Sequence, residues 1–200
     1  MRSIGIEFTG AGEAGLFALE SPPRPGPTEL LVRTRFSGVT NGTERRGLMN
    51  DFGTTHYPLR WGYQHVGLVE AMGEQVSAFS VGDTVFQGIQ DGHRGWHLVD
   101  IQRGRLLARH GVVGALASRQ EAVFDHGMFH SLSASMEGSS HFTLEDLRIL
   151  LHLVRLGTIR LAPMVSHRVP IAEAPRIYGL LRDKPGELLG VIFHWSPQAW

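Results

Sequence analysis

Apolar and polar residues alternate over short stretches through the first half of the chain. Leu30, Val32, Thr34 and Phe36 alternate with Leu31, Arg33 and Arg35, the period-two pattern of a strand with one buried face. Residues 3–8 (SIGIEF) and 14–19 read as short strands around a GAGEAG turn. VGLVEAM (66–72), TVFQGI (84–89) and WHLVDI (96–101) read as three more. The prolines of SPPRPGPTE forbid a helix and make a stiff connection. Residues 37–65 read as loop with one helical turn near Glu44–Met49, and GEQVSAFSVGD as a turn-rich connection. Close-spaced strands with glycine turns predict a small β-barrel or sandwich here.

The second half changes period. HGVVGALAS (110–118) and SLSASMEGS (131–139) still read as strands. Residues 143–156 are helical, with Leu144, Leu147, Leu151 and Val154 on one face. Thr143 suits the N-cap, Glu145 and Asp146 the first turn, and Gly157 the end. A second helix is predicted near 172–183, with Pro175 confined to its first turn. GELLGVIFHW (186–195) reads as a closing strand and SPQAW as a frayed tail. The expected fold class is mainly β with α, of the α+β type.

Composition narrows the chemistry. The chain has 200 residues, 42% apolar and 19% charged, enough for a sizeable core. Lys plus Arg and Asp plus Glu are 19 each, and a zero net charge counts against nucleic acid or an anionic membrane as partner. There is no Cys, which excludes disulfides, thiolate-bound zinc, iron–sulfur clusters and a Cys nucleophile from this chain. No apolar run reaches the roughly 20 residues of a membrane span, and MRSIGIEFTGAGEAG lacks an apolar signal core. A cytoplasmic protein is the expectation. The 11 histidines invite metal and acid–base readings.

LLVRTRFSGVTNGTE, YPLRWGYQHVGLVEAMGEQVSAFSVGDTVF and GHRGWHLVD resemble the GroES-like domain of the medium-chain dehydrogenase/reductase superfamily. The family pattern runs from a strand through SG-I/V-C to P-x-x-x-G-H-E-x-x-G-x-V and then V-x-x-x-x-x-G-D-x-V. GTIRLAPMVSHRVPIAEAPRIYGLLRD with GVIFHW resembles the C-terminal arm that packs back on that domain. The GTE and GYQHVG wording is most similar to a zinc-free branch that includes bacteriochlorophyllide dehydrogenases. The resemblance implies a GroES-like partial β-barrel over 1–105, remnant strands and one helix of a largely deleted cofactor domain over 106–157, and the arm over 158–195. In relatives, the strand matching SLSASMEGSS pairs with its copy in a second subunit, which implies a homodimer.

Two departures from the family shape the functional expectation. The cofactor domain is largely missing, and neither TGAGEAG nor HGVVGALAS has a clear following helix with an acid about 20 residues on. No cofactor is expected. The family's zinc Cys is matched by Thr40, and the His and Glu of G-H-E by Tyr63 and Gln64, a poor zinc set. No metal is expected either, although Glu44, His65 and His93 are acceptable ligand types.

The segments that match the family's cleft carry the candidate residues. Glu44 or His65 is the candidate base, His93 the acid, and Tyr63 or Gln64 an oxyanion donor. Thr40, His56 and Trp96 are candidate substrate contacts, and Arg45 with Arg46 can hold an anionic group. The set reads equally as loop and core residues without a catalytic task. The expected function is non-redox acid–base chemistry on a carbonyl-bearing small molecule, as an isomerase, dehydratase, lyase or cyclase in small-molecule biosynthesis. Two alternatives stay open: a non-catalytic module binding a ligand or protein, and an oxidoreductase whose nicotinamide cofactor is bound unusually or supplied by a partner.

Overall fold

The computed structural model describes residues 3–54, 56–88, 91–101 and 144–196. The strands expected at 110–118 and 131–139, the Thr143 cap and the tail beyond 196 lie outside the described residues.

An N-terminal hairpin pairs β1 (Ser3–Gly10) with β2 (Glu13–Leu19), antiparallel, with Gly12 at φ 77° in the turn. β3 (Glu29–Val39) is the longest strand and the centre of a six-stranded sheet. It pairs antiparallel with β4 (His65–Met72), β6 (Trp96–Asp100) and β8 (Val191–His194). β5 (Thr84–Gln87) lies outside β4, and β7 (His167–Pro170) runs parallel to β8 at the other edge. Main-chain bonds tie the hairpin to the loops around it: Phe8 N–H to the Leu59 carbonyl at 2.8 Å, and Ile6 N–H to the His93 carbonyl at 2.9 Å. The result is a partly closed, mainly antiparallel barrel with a few helices, an α+β fold.

Among the described residues there are three α-helices, where the sequence predicts two and a single turn. α1 (Asn41–Leu48) starts three residues before the single turn read from the sequence. α2 (Leu144–Arg155) forms where expected, and Gly157 ends it at φ 74° with the Thr158 N–H on the Leu153 carbonyl, a Schellman-type cap. Its apolar side is only partly covered among the described residues: Ile149, Leu150 and Leu151 are exposed. α3 (Ala174–Asp183) carries Pro175 in its first turn, as expected, after a 3-10 turn at Ile171–Glu173. The closing strand is shorter than GELLGVIFHW, because Pro185–Glu187 form another 3-10 turn.

The main core lies where the C-terminal arm meets the barrel. Phe8 of β1, Leu48 of α1, Ile177, Tyr178 and Leu181 of α3, and Phe193 of β8 form one buried cluster. Tyr178 meets Phe8 edge-on, with ring centroids 5.1 Å apart. A smaller cluster of Leu30, Val32, Val69 and Val76 fills the other end of the sheet. There the chain after β4 passes so close to the residues before β3 that only glycine fits: a Cβ on Gly73 would stand 1.9 Å from the Gly26 carbonyl oxygen. Backbone cannot swing aside as a side chain can. Gly73→Ala is expected to lower stability by about 2 kcal/mol or more. Gly42→Ala, in α1 with nothing within 4 Å of the added carbon, is expected to be neutral or stabilising. Urea midpoints of the two variants check the contrast; equal midpoints would contradict it.

Candidate functional site

The site grows from the start of α1. Thr40 is the N-cap residue, extended at φ −93°, ψ 92°, but its side chain caps nothing. Glu44, one turn in, folds its carboxylate back instead, and the Thr40 N–H donates to Glu44 Oε1 at 2.8 Å. This places a fully buried carboxylate inside the barrel. His93, from the β5–β6 connection, meets Glu44 Oε2 through Nε2 at 3.0 Å, and the Tyr178 hydroxyl donates to the same oxygen. On its other side His93 Nδ1 lies 2.9 Å from Ser37 Oγ, which accepts from Trp195 Nε1 at 3.0 Å.

One assignment of protons satisfies every member. Trp195 donates to Ser37, Ser37 donates to His93 Nδ1, and His93 Nε2–H, Tyr178 and the Thr40 amide all donate to Glu44. In this assignment His93 is neutral and Glu44 is an ionised acceptor of three hydrogen bonds. Burial, and then the charge of Glu44, push the Tyr178 phenol well above its usual range, which keeps it a donor. By distance alone Ser37, His93 and Glu44 form a Ser–His–acid row. Ser37 is only 2% exposed in the middle of β3, and its oxygen already holds the Trp195 proton, so it has no access as a nucleophile.

Beside this satisfied network lies an unsatisfied one. His65 opens β4, His97 sits in β6, and Gln87 faces His65 across the β4–β5 pair. The rings of His65 and His97 are 4.4 Å apart, and that of His65 is 5.6 Å from His93. All three side chains are at least nine-tenths buried, and neither nitrogen of His65 nor either amide atom of Gln87 has a partner of good geometry. Burial, with the neighbouring His97 and His93, holds His65 far below the usual imidazole range, only partly offset by the Gly92 backbone. Burial lowers His97 too, against the pull of Asp91, whose carboxylate is 3.4 Å from His97 Nδ1. Asp91 itself is raised by burial but held net below its usual value by hydrogen bonds from His97 and Arg94.

The structure therefore brings Glu44, His93, Thr40 and His65 together. Glu44 and His93 do not face each other across an open space, as an acid and base on opposite sides of a carbonyl would; they are bonded directly. His65 is not a base near neutrality, because its burial favours the uncharged ring. Tyr63 is buried just before β4, and Gln64 packs against Gly38. His56 is exposed in the loop before Leu59. Trp96 points to the opposite face of β6 from His97, where its indole donates to the Glu20 carbonyl and Arg94 lies over its ring. Arg45 donates to the Leu181 carbonyl and Arg46 covers Phe52. The residues that sequence reasoning missed are Ser37, Gln87, His97, Tyr178 and Trp195. Tyr178 sits in an apolar stripe and looks like core; the inward-facing polar pair Gln87 and His97 was the readable signal.

The groups that the family resemblance implies do not fit these residues. At the zinc position stand a hydroxyl, a phenol and an amide. His93 has both nitrogens engaged, and among the described residues no three His, Asp or Glu side chains are placed to share an ion. Gly10, Gly12 and Gly15 have the G-x-G-x-x-G spacing. They lie in and beside an antiparallel hairpin, not a strand-to-helix turn whose helix end meets a pyrophosphate.

The buried imidazoles give the stability a definite pH dependence. Their folded values lie below the ordinary 6.5, so below about pH 6.5 the unfolded chain takes up protons that the folded chain refuses. Stability is present above that pH and is lost as pH falls. Between pH 7.5 and 5.5 the loss from both rings is expected to be roughly 1–3 kcal/mol. Urea titrations at the two pH values check this, and the loss should shrink in a His65→Gln, His97→Gln double variant. An equal loss in the variant would assign the effect elsewhere.

Comparison with known proteins agrees with this architecture. The alcohol dehydrogenase GroES-like domain family matches residues 26–130, over half of the chain. L-threonine 3-dehydrogenase of Deinococcus deserti is 33% identical over 75 residues, 36% of this chain and 22% of that protein. 1,2-Dihydrovomilenine reductase of Rauvolfia serpentina is 27% identical over 169 residues, 84% of this chain and 43% of that protein. The chain thus spans less than half the length of the curated relatives it matches. A thermostable alcohol dehydrogenase from Pyrobaculum aerophilum, solved with cobalt and zinc bound, superposes with a TM-score of 0.68 over 98% of this chain and 100% of that one, at 14% identity, a likeness of fold alone. The chain belongs to the alcohol dehydrogenase GroES-like domain family, within the medium-chain dehydrogenase/reductase superfamily.

Proposed function

We propose that this chain is a metal-free member of its family that holds a carbonyl-bearing small molecule and moves protons on it without a nicotinamide cofactor. The reaction class is isomerisation, dehydration, elimination or cyclisation, in cytoplasmic small-molecule biosynthesis. The observation that carries the reading is the donor set Thr40, Tyr63 and Gln64, which cannot supply the thiolate, imidazole and carboxylate of a Lewis-acid centre but can hydrogen-bond a developing oxyanion. Supporting it is a carboxylate–imidazole pair, Glu44 and His93, one turn and one loop away. In this reading Tyr63 and Gln64 bind the carbonyl oxygen, Thr40 and His56 contact substrate, and the Glu44–His93 pair holds the proton to be moved. His65, held uncharged by its burial, and Trp96 both leave the reacting set.

Proton transfer beside a carbonyl leaves a direct trace, so the test is solvent exchange. Aldehydes and ketones with an α C–H are incubated with the protein in D2O, with no cofactor added, and followed by NMR. Catalysed deuterium uptake by one of them is the expected result. Tyr63→Phe, which keeps the ring, should then slow it by about 10²–10³, and Glu44→Gln by about 10²–10⁴. Absence of exchange, together with micromolar binding of NAD(H) or NADP(H) by calorimetry and hydride transfer to a carbonyl, would replace this reading with an oxidoreductase.

A second reading has its own observation. Glu44 and His93 are completely buried and fully engaged with protein partners, as structural groups are. Ligand binding with no conversion of any compound would favour a binding module. The same overall reading keeps 106–157 as the remnant of a cofactor domain and 131–140 as a self-pairing edge. There Leu132, Ala134 and Met136 alternate with Ser131, Ser133 and Ser135. Light scattering is expected to give a homodimer; a monomer would remove that element.

A further inference from the structure

The unsatisfied trio beside the Glu44 network is the most informative feature that the proposed chemistry does not use. His65, Gln87 and His97 come from β4, β5 and β6 and are 1%, 5% and 1% exposed. Neither amide atom of Gln87 has a protein partner, and the rings have only marginal ones, the Gly92 backbone beside His65 and the Asp91 carboxylate 3.4 Å from His97 Nδ1. Each buried donor or acceptor left unpaired costs about 1–3 kcal/mol, and the Gln87 amide together with the remaining ring nitrogens exceeds what a marginally stable fold tolerates without a compensating partner. We infer that His65, Gln87 and His97 form a buried binding site for an uncharged guest bearing a group that both donates and accepts a hydrogen bond, such as a hydroxyl or a primary amide. The inference is independent of the acid–base reading.

The guest's character follows from the groups that would hold it. A neutral imidazole offers one N–H and one lone pair, and an amide side chain offers both kinds of site. A ligand that only accepts, or only donates, leaves half of them unpaired. Charge is excluded on both signs. Arg94 acts on both rings, and its charge is already met by the Asp91 carboxylate at 2.8 Å, which leaves no net positive charge there to attract an anion. A cation would meet Arg94 and the donor protons of the two rings, with Asp91 committed to Arg94 and His97. The rings stand too close to admit a group between them, so the guest caps their nitrogens from one side. Asp91, with its side chain 42% exposed and 3.4 Å from His97 Nδ1, marks the solvent side of the site.

Histidine side-chain 15N NMR on the full chain tests this directly. The His65 and His97 signals are assigned with His65→Gln and His97→Gln. Acetamide and 1-propanol serve as probes, with acetate and methylammonium as charged controls. The expected result is a saturable shift of both imidazoles with the neutral probes and none with the charged ones. Gln87→Leu should weaken the response by at least about tenfold, the effect of losing one buried hydrogen-bonding partner; Gln87→Met serves in its place if the leucine variant does not fold. Three results would overturn the proposal: no saturable shift, an equal response to the charged probes, or a buried water in contact with His65 that neither neutral probe displaces.

Discussion

A carboxylate removed from water must be given back the hydrogen bonds it lost, and the structure is arranged around meeting that demand at Glu44. The cost of an ion buried without partners is several kcal/mol, more than half of the stability of many domains. Its three donors come from the turn before α1, the loop before β6, and α3, the last two 49 and 134 positions away in sequence. Removing any one leaves a buried charge short of a partner, the situation in which losses of about 3–5 kcal/mol arise. The pairing of β8 with β3 and the seating of α3 are therefore held by a polar joint as much as by the apolar cluster around Phe8, Ile177 and Phe193.

Two neighbouring polar groups in this barrel obey opposite rules. In one, every proton has a single sensible place, from the Trp195 indole through Ser37 and His93 to Glu44. Such a network fixes geometry, because any rotation breaks more than one bond. In the other, both atoms of the Gln87 amide lack a partner and the neighbouring imidazoles are only marginally held. Structural rigidity and chemical opportunity are thus separated by one ring contact, that of His93 with His65.

Much of the barrel was legible in the sequence, because strands with one buried face advertise themselves at period two. β3, β4 and β6 follow from their alternation, and α2 and α3 from period and capping residues. β7 was not legible: four residues, His167–Pro170, carry too little pattern, and their parallel pairing with β8 depends on where the chain returns. α1 was read short since Asn41, Gly42 and Thr43 suggest a turn; Asn41 is instead held by the Leu188 and Leu189 carbonyls from the far end of the chain. Glu44 and His93 could be picked out by their place in the family wording. Their relation to each other could not, because two side chains 49 positions apart meet only through the sheet. Trp96 shows the converse, an aromatic that looks like a cleft residue and lies on the other face of its strand.

The sheet's connectivity also governs when the molecule can fold. The strand next to the N-terminal half of the sheet is supplied by β8, and Trp195 reaches Ser37 across 158 positions. Contacts this remote demand a large loss of chain freedom before they return anything, so barrels of this kind form late and slowly. During synthesis the central strand emerges well before its partner exists. Until residues 191–195 arrive, that edge of β3, with Phe36 and Val39 along it, is an open template for the wrong strand.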